Sequence, residues 1–518
     1  MPELSNNKRI AKNTLLLYLR MFYTLLISLF TARVVLNSLG FDDYGIYNVV
    51  GSVVSMFVFL RSALGNATNR FITFALGKGD EERLNVVFST SVVVHFVLGI
   101  IIVVLAETVG LWFLQQKMVI PEERMAAAQW CYQFSVLTCF LSVICVPYDA
   151  EIIAHEKMGV FAFVQVFNTT MNLGIAYLIS HTSADRLILY GLLLLIIQIL
   201  NRVFYGVYCG RKFKECHFKW TKDKALIKEM TSFAGWSMLG NLAAVGFNQG
   251  LNILLNVFFG PVVNAARGVA VQVQGVVQGF ITNFQIAVNP QITKSYAAKD
   301  LQRMRSLVIL SSKFSYFLML LLCLPVFFEA PKLLQLWLGN VPDHTVNFIR
   351  ILIFIMLVST LENSIAVSKQ AAGNIRNYQI IVGSLLLTIL PISYIALRLG
   401  APVESVFIVH LVVAMVSQIV RVLLVRKDIG LPLREYLNVV VLRVALVTAI
   451  SCIIPFVLYK FCPDTIWMMI LVILCCVASV AVSVMLFGVN TTERQFILKY
   501  VRGFFDHLWP KKQKQVVE

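Results

Sequence analysis

Residues 39–54, LGFDDYGIYNVVGSVV, and residues 69–84, NRFITFALGKGDEERL, decide the fold, because related residues occur a second time in the chain. The two copies are separated by a constant offset of 220 residues. The positions that match are Leu39-Gly40 with Phe259-Gly260, Asn69, Ile72 and Thr73 with Asn289, Ile292 and Thr293, and Gly79-Asp80 with Lys299-Asp300. An apolar stretch long enough to span a bilayer lies inside each copy. The repeat predicts two homologous halves packed as a membrane transporter.

Composition places the chain in a membrane. Of its 518 residues, 58% are hydrophobic and only 14% are charged, and the mean hydropathy is +0.78. A soluble protein of this size could not bury so much apolar surface, so the bilayer must act as its solvent. The formal charge of +17 does not indicate nucleic-acid binding, because the cations lie in short loops beside apolar segments.

The loop charges predict the topology. Fourteen helical spans are expected, and with a cytoplasmic N-terminus the inside segments carry 28 Lys and Arg residues against six outside. This bias places both termini in the cytoplasm. An even number of spans in each half gives the two halves the same orientation, so the fold class predicted is all-α, with two six-helix lobes related by a parallel repeat and two further helices.

The predicted organisation has six parts. They are a cytoplasmic tail at 1–13, a first lobe at 14–209, a basic cytoplasmic linker at 210–230, a second lobe at 231–425, a helix pair at 437–488 and a tail at 489–518. In the last part, Thr492 and Gln495 have the spacing of a capping box and open an amphipathic pattern that predicts a helix lying on the inner leaflet.

Ten cations fall inside predicted spans, where a charge costs several kcal/mol unless it faces a cavity, pairs or reaches the interface. Six of them lie near helix ends, where reaching the interface or pairing with an acidic group is favoured: Arg33, Arg70, Arg202, Arg350, Arg421 and Arg443. Another is Lys313. Arg20, Arg61 and Arg267 lie deeper, in helices one, two and eight, and these three are predicted to bind an anionic substrate. Arginine suits a diphosphate because its planar fork binds two oxygens and keeps its proton.

Amide side chains cluster in helices seven and eight. Arg267, Gln274, Gln278 and Gln285 recur at helical spacing on one face. Together with Asn241 and Asn248 they predict a hydrated cavity suited to sugar, although interhelical hydrogen bonding that only joins the helices gives the same pattern. Glu362, in helix ten, either pairs with an arginine or carries a coupling proton, and simple pairing is favoured.

The ten cysteines lack metal or redox spacing. Seven lie in apolar runs, and Cys209 and Cys216 flank the basic linker, where they should be reduced. No cofactor and no metal site is predicted. His155-Glu156 is interpreted as a pair that caps or solvates a short cytoplasmic loop.

The opening NTLLLYLRMFYTLLISLFTARVVLNSLGFDDYGIYNVVGSVVSMF, followed by ATNRFITFALGKGD, resembles polysaccharide flippases of the Wzx type. These belong to the multidrug/oligosaccharidyl-lipid/polysaccharide (MOP) exporter superfamily, with the MATE drug exporters and the lipid II flippases. The resemblance is specific over about the first eighty residues. It implies an alternating-access transporter that moves undecaprenyl-diphosphate-linked oligosaccharide from the inner to the outer leaflet for lipopolysaccharide, O-antigen or other surface polysaccharide. Polymerase or chain-length proteins of the same pathway are possible partners.

Two other functions fit less well. A MATE-type exporter of small cations should prefer acidic cavity residues. A membrane-embedded glycan polymerase or ligase should have a large outward catalytic segment, and no predicted outside loop exceeds about twenty residues. Walker A, HExxH and GxSxG motifs are absent from the sequence, so the protein is predicted not to be an enzyme.

Overall fold

A computed structural model describes residues 2–55, 58–116, 120–220, 223–338, 341–461, 465–491 and 493–495. These residues contain α- and π-helical segments and no strand. Long apolar helices are the expected solution in a bilayer, because they satisfy every backbone hydrogen bond within the segment. The predicted amphipathic helix of the C-terminal tail lies almost wholly outside the described residues.

The described residues form fourteen long helices that follow one another along the chain. In order they are α1 (residues 2–39), α2 (41–55 and Val58–Lys78), α3 (Glu81–Gln116), α4 (Glu122–Ala154), α5 (Met158–Ser180), α6 (Arg186–Lys212), α7 (Lys224–Phe259), α8 (Pro261–Ala297), α9 (Leu301–Leu338), α10 (Thr345–Ala372), α11 (Arg376–Arg398), α12 (Ser405–Ile429), α13 (Leu433–Phe461) and α14 (Ile466–Gly488).

Twelve helices in the described residues are long and apolar enough to cross a membrane. The two others are α2 and α8, which occupy equivalent places in the repeat. The helix α8 is not apolar enough to be counted, because its run of amide side chains lowers the mean hydropathy. The chain is a multi-pass membrane protein, and the predicted all-α fold class is confirmed, with a number of spans close to the fourteen expected.

The two halves repeat their packing. In the first lobe the adjoining pairs are α1 with α5, α2 with α4, α3 with α4, and α4 with α6. The same pairs recur six helices later in the second lobe, as α7 with α11, α8 with α10, α9 with α10, and α10 with α12. The helices α13 and α14 pack against each other and against α9, outside the repeat.

The backbone confirms the repeat at its most constrained point. Gly40, between α1 and α2, has φ 79° and ψ 174°, and Gly260, between α7 and α8, has φ 79° and ψ −171°. This region of backbone conformation is almost restricted to glycine. The two sharp turns therefore explain why glycine recurs at the offset of 220 residues.

The second matched turn uses the same cap. Gly79 and Lys299 both have positive φ, of 70° and 59°. The aspartates that follow them accept a hydrogen bond from the backbone N–H three residues on, Asp80 from Arg83 at 2.9 Å and Asp300 from Arg303 at 3.0 Å. Each is the N-cap that starts the third helix of its lobe.

An ion network fixes the opposite end of the first lobe. The Arg124 guanidinium donates to both oxygens of Asp43, at 2.8 and 2.6 Å, and to those of Asp185, at 2.6 and 3.2 Å. Burial opposes ionisation of Asp185, but the hydrogen bonds from Arg124 and from the first turn of α6 outweigh it and lower the pKa of this carboxyl. Arg124 thereby joins the starts of α2, α4 and α6.

The turn glycines give a test of the repeat. Replacing Gly260 with alanine places a Cβ in a conformation that costs about 1–3 kcal/mol. In detergent, Gly40→Ala and Gly260→Ala should each unfold at a lower temperature than the wild type. The matched control is Gly268→Ala in α8, where an added Cβ meets no atom within 4 Å and alanine has the higher helix propensity. Equal stability of Gly260→Ala and Gly268→Ala would contradict the shared turn.

Candidate functional site: cationic cavities in two lobes

The lobes are joined by α2, which packs against α7 and α8, and by α1, which packs against α8. We call the end of the molecule that holds the loops 79–80, 155–157, 213–220 and 298–300 the basic end. In the described part of the chain, the hydrogen bonds, ion pairs and ring contacts that join the lobes lie between this end and the middle of the helices, where Phe22 of α1 meets Phe280 of α8. The structure is therefore closed between the lobes at the basic end.

A buried carboxylate makes the closest of these contacts. Glu156 is 4% exposed and follows α4. Its side chain accepts hydrogen bonds from Gln291 Nε2 at 2.7 Å and from Lys294 Nζ at 2.8 Å, both on α8. The interpretation of His155-Glu156 as a pair that caps or solvates a short loop missed this contact, because nothing in the local sequence shows that Glu156 faces the other lobe.

Apolar packing surrounds this contact. At Gly77, a Cβ would lie 2.8 Å from Cβ of Ala297, so the absence of a side chain lets α2 approach α8 closely. Phe71 and Phe233 meet edge to face with 5.9 Å between ring centroids, and belong to one buried apolar cluster with residues of both lobes. We call Glu156, Gln291 and Lys294 the interlobe latch.

The first cavity lies in the first lobe, between α2 and α4, with a volume of about 340 Å³. Arg61, Asn66 and Asn69 line it from α2, and Asp149 lines it from α4. The Arg61 guanidinium lies 3.9 Å from the Asp149 carboxylate, and 40% of its side chain is exposed. Asp149 was missed from the sequence because the fourth span was predicted to end at 147, seven residues before α4 ends at Ala154.

The second cavity lies inside the second lobe and measures about 230 Å³. Residues from α7, α8, α10, α11 and α12 line it. Its polar lining residues are Asn248, Arg267, Gln274, Ser359, Glu362, His410 and Arg421. Four of these, Arg267, Asn248, Gln274 and Glu362, are among the site residues predicted from the sequence, so the amide face of α8 does border a polar cavity.

Arg267 is the most deeply placed cation of this cavity, at 6% exposure. Its guanidinium donates to the Asn252 side-chain oxygen and to Asn248, at 3.2 Å to the backbone oxygen and 3.3 Å to the side-chain oxygen. Its Nε has no hydrogen-bond partner in the described residues. Neutral amide groups therefore bind the guanidinium without neutralising its charge, and its Nε–H donor has no partner among the described residues.

Glu362 pairs with Arg421 across the same cavity, at 2.5 Å. Of the two roles considered for Glu362, the structure shows pairing. With Arg267 and Arg421 against one carboxylate, the described lining carries an excess of positive charge. A buried charge attracts an anion strongly, because little water is present to screen it.

Arg20 has a third environment. Its guanidinium donates to Asn283 Oδ1 of α8 at 2.5 Å, and lies over the ring of Phe161 at 5.4 Å. This contact crosses between the lobes near their closed half. Arg20, Arg61 and Arg267 thus lie at the lobe interface, in the first cavity and in the second cavity, respectively.

The remaining predicted lining residues are spread along α7 and α8. Asn241 and Gln278 are half-buried, and neither borders the two cavities. Gln285 is 5% exposed, and its Nε2 donates to Ser315 Oγ on α9 at 3.4 Å. Its position inside the second lobe matches the alternative interpretation, in which amides join helices.

Comparison with known proteins agrees with this architecture. The MatE family profile matches residues 17–178. No curated protein matches the sequence. Two similar solved structures are an outward-facing multidrug resistance MATE family transporter of the MOP superfamily and a MATE in the bent conformation, with TM-scores of 0.72 and 0.71, each at 15% identity. In both cases 82% of this chain and 96% of the other are covered.

A third structure is a MOP superfamily transporter from Pyrococcus furiosus, described as having a binding pocket of reverse polarity that suggests a different function. It has a TM-score of 0.69 at 16% identity, with 82% of this chain and 96% of the other covered. The chain contains a region matching the MatE family and has the fold of the MATE transporters of the MOP superfamily. At this identity the likeness to solved structures defines the fold.

Breaking the interlobe latch should loosen the closed end. In Glu156→Gln the buried amide cannot neutralise Lys294, and breaking a buried pair costs about 3–5 kcal/mol. Hydrogen–deuterium exchange in residues 67–78 and 287–297 should therefore be at least about tenfold faster than in the wild type. Glu123→Gln, an exposed carboxylate at the far end of α4, is the control. Unchanged exchange in Glu156→Gln would show that the latch does not hold the lobes.

Proposed function

We propose that this protein is an alternating-access transporter that moves a lipid-linked oligosaccharide, joined through a diphosphate to undecaprenol, across the bacterial inner membrane from the inner to the outer leaflet. The observation that carries the proposal is the buried Arg267 guanidinium, held by neutral amides in a cavity with an excess of positive charge. Its open Nε can donate to a phosphate oxygen.

The sizes of the cavities suit part of such a substrate. Pockets for drug-sized ligands measure about 300–1,000 Å³. At about 230 and 340 Å³, the two cavities have room for a charged headgroup rather than for a complete oligosaccharide. The sugars would then occupy the space between the lobes, and the lipid chain would stay in the bilayer.

The closed end supports a cycle in two states. With the basic end in the cytoplasm, as the loop charges predict, the latch closes the inner side and the lobes part towards the outer side. Export requires a second state in which the latch residues separate and the outer halves of the lobes meet. The repeat favours such rocking, because two similar rigid units move against each other.

A MATE-type exporter of small molecules is the second candidate function. The MatE profile match and the Asp149 carboxylate in the first cavity favour it. Asp149 lies near Arg61, however, and Glu362 is paired with Arg421. A cationic drug would have to compete with these arginines, whereas a diphosphate would be attracted by them. Transport rather than catalysis is proposed in either case.

Transport by reconstituted protein tests the proposal. Proteoliposomes with a fluorescent undecaprenyl-diphosphate oligosaccharide should show flipping, and Arg267→Ala should slow it about 10- to 100-fold, the loss expected for hydrogen bonds to a charged group. Arg267→Lys keeps the positive charge but loses the planar guanidinium group that can bind two oxygens, so its flipping rate should lie between those of the wild type and Arg267→Ala. Arg398→Ala, at an exposed arginine that donates to the Tyr394 hydroxyl, is the control.

Wild-type rates in Arg267→Ala and Arg61→Ala would overturn the assignment of the cationic cavities. A wild-type protein that exports a cationic dye and flips no lipid would favour the second candidate function.

The membrane potential should drive net export. One charge moved across 100 mV is worth about 2.3 kcal/mol, so a diphosphate carrying two negative charges out of an electronegative cytoplasm gains about twice that. Collapsing the potential with valinomycin and potassium, with the proton and sodium gradients held constant, should therefore reduce net flipping. An unchanged extent of flipping would reject this driving force.

A further inference from the structure

The basic end of the first lobe holds a second cluster of ionisable side chains, whose members line neither of the two cavities. Glu151 and His155 lie one helical turn apart at the end of α4, and Glu215 lies in the linker after α6. One ligand atom from each side chain lies within 4.8 Å of the other two. His155 Nε2 is 2.5 Å from Glu215 Oε1 and 3.7 Å from Glu151 Oε2.

Glu151 is the unusual member of this cluster. Its side chain is 0% exposed, and neither carboxylate oxygen has a hydrogen-bond partner among the described residues. A buried ionised carboxylate without a partner costs several kcal/mol. Its ion-pair neighbour in the described part of the chain is His155, which is already hydrogen-bonded to Glu215.

The charges of the three groups do not balance by themselves. A protonated His155 supplies one positive charge for two carboxylates, and the geometry places it on Glu215. A divalent cation would neutralise both carboxylates at once and would leave His155 neutral, the form in which imidazole binds metals.

We propose that Glu151, His155 and Glu215 bind one divalent transition-metal ion, and we commit to Zn²⁺. Zinc accepts imidazole nitrogen and carboxylate oxygen with bonds of about 2.0–2.2 Å. Tetrahedral bonds of that length place the ligand atoms about 3.4 Å apart. The 3.7 Å separation of His155 from Glu151 is already close to this value, and the 2.5 Å hydrogen bond to Glu215 would open as the metal replaces the proton.

The surroundings hold two of the three ligands in place. The His155 ring stacks on Phe213, with centroids 4.2 Å apart and planes at 13°. The Glu215 backbone oxygen accepts a hydrogen bond from Asn85 Nδ2 at 2.7 Å, which ties the linker to α3. Ligands that are positioned before the metal arrives bind it with less ordering cost. Three protein ligands leave a fourth position for water.

The role of the ion would be structural. It would attach the linker that connects the lobes to the end of α4, beside the turn that carries the latch residue Glu156. This proposal does not depend on the transported substrate, and Arg267→Ala should keep the metal.

Metal analysis of the full chain tests the proposal. The protein, without a polyhistidine tag, is stripped with a chelator in detergent, equilibrated with buffered Zn²⁺ alone and analysed by mass spectrometry for zinc per chain. The wild type should hold about one zinc ion. Glu151→Gln and His155→Gln should each reduce this at least tenfold. His217→Gln, at an exposed linker histidine two residues after Glu215, is the matched control and should retain the metal.

Thermal unfolding supplies a second measurement that separates binding from misfolding. Zn²⁺ should raise the unfolding temperature of the wild type and of His217→Gln, because a ligand that binds only the folded state stabilises it. It should leave the unfolding temperature of Glu151→Gln unchanged, because this variant lacks one of the three ligands. Equal zinc content in the wild type, Glu151→Gln and His155→Gln would overturn the proposal.

Discussion

The cost of placing a charge inside a low-dielectric bundle governs this structure. Each cation within the helices must find a partner, reach the interface or face a cavity. Most of those described have a partner: Arg421 meets Glu362, and the fully buried Lys313 meets Glu493 at 2.7 Å. Arg267, like Arg20, donates to amide oxygens and has no carboxylate partner among the described residues, and unlike Arg20 it lines a cavity. A protein keeps such a charge at a cost, and the proposed binding of an anion would account for that cost.

The same constraint connects the two lobes. Glu156 is buried at the basic end, and its carboxylate accepts hydrogen bonds from Gln291 and Lys294 of α8. When the lobes separate there, its partners must be replaced by water. The latch is therefore stable when closed and can be exchanged when water enters, as a conformational switch between two access states requires. Arg20, which donates to Asn283 of the other lobe, must also change partner in such a movement.

Much of the fold could be predicted from the sequence because its strongest signals are local. Hydropathy locates the long helices, and the recurrence of glycine reports a turn that only glycine forms easily, as the equal φ of Gly40 and Gly260 shows. Arg267, Asn248 and Gln274 could be predicted because amide and guanidinium groups at helical spacing on an apolar helix need a polar neighbour.

The residues that sequence analysis missed were those whose role depends on contact with another helix. Asp149 fell beyond a span predicted too short, and Glu156 faces a lobe more than 100 residues away in the chain. Helical spacing places Gln285 on the same face as Arg267, but it does not show that α9 covers that face further along, where Ser315 accepts from the amide.

The proposed transport depends on Arg267 exchanging its amide partners for an anionic headgroup. The most direct measurement is an experimental structure of the protein with undecaprenyl-diphosphate bound in nanodiscs. We expect a phosphate oxygen within hydrogen-bond distance of the Arg267 guanidinium, in the cavity that Glu362 and His410 also line. A diphosphate bound elsewhere, with Arg267 still donating to Asn248 and Asn252, would contradict it.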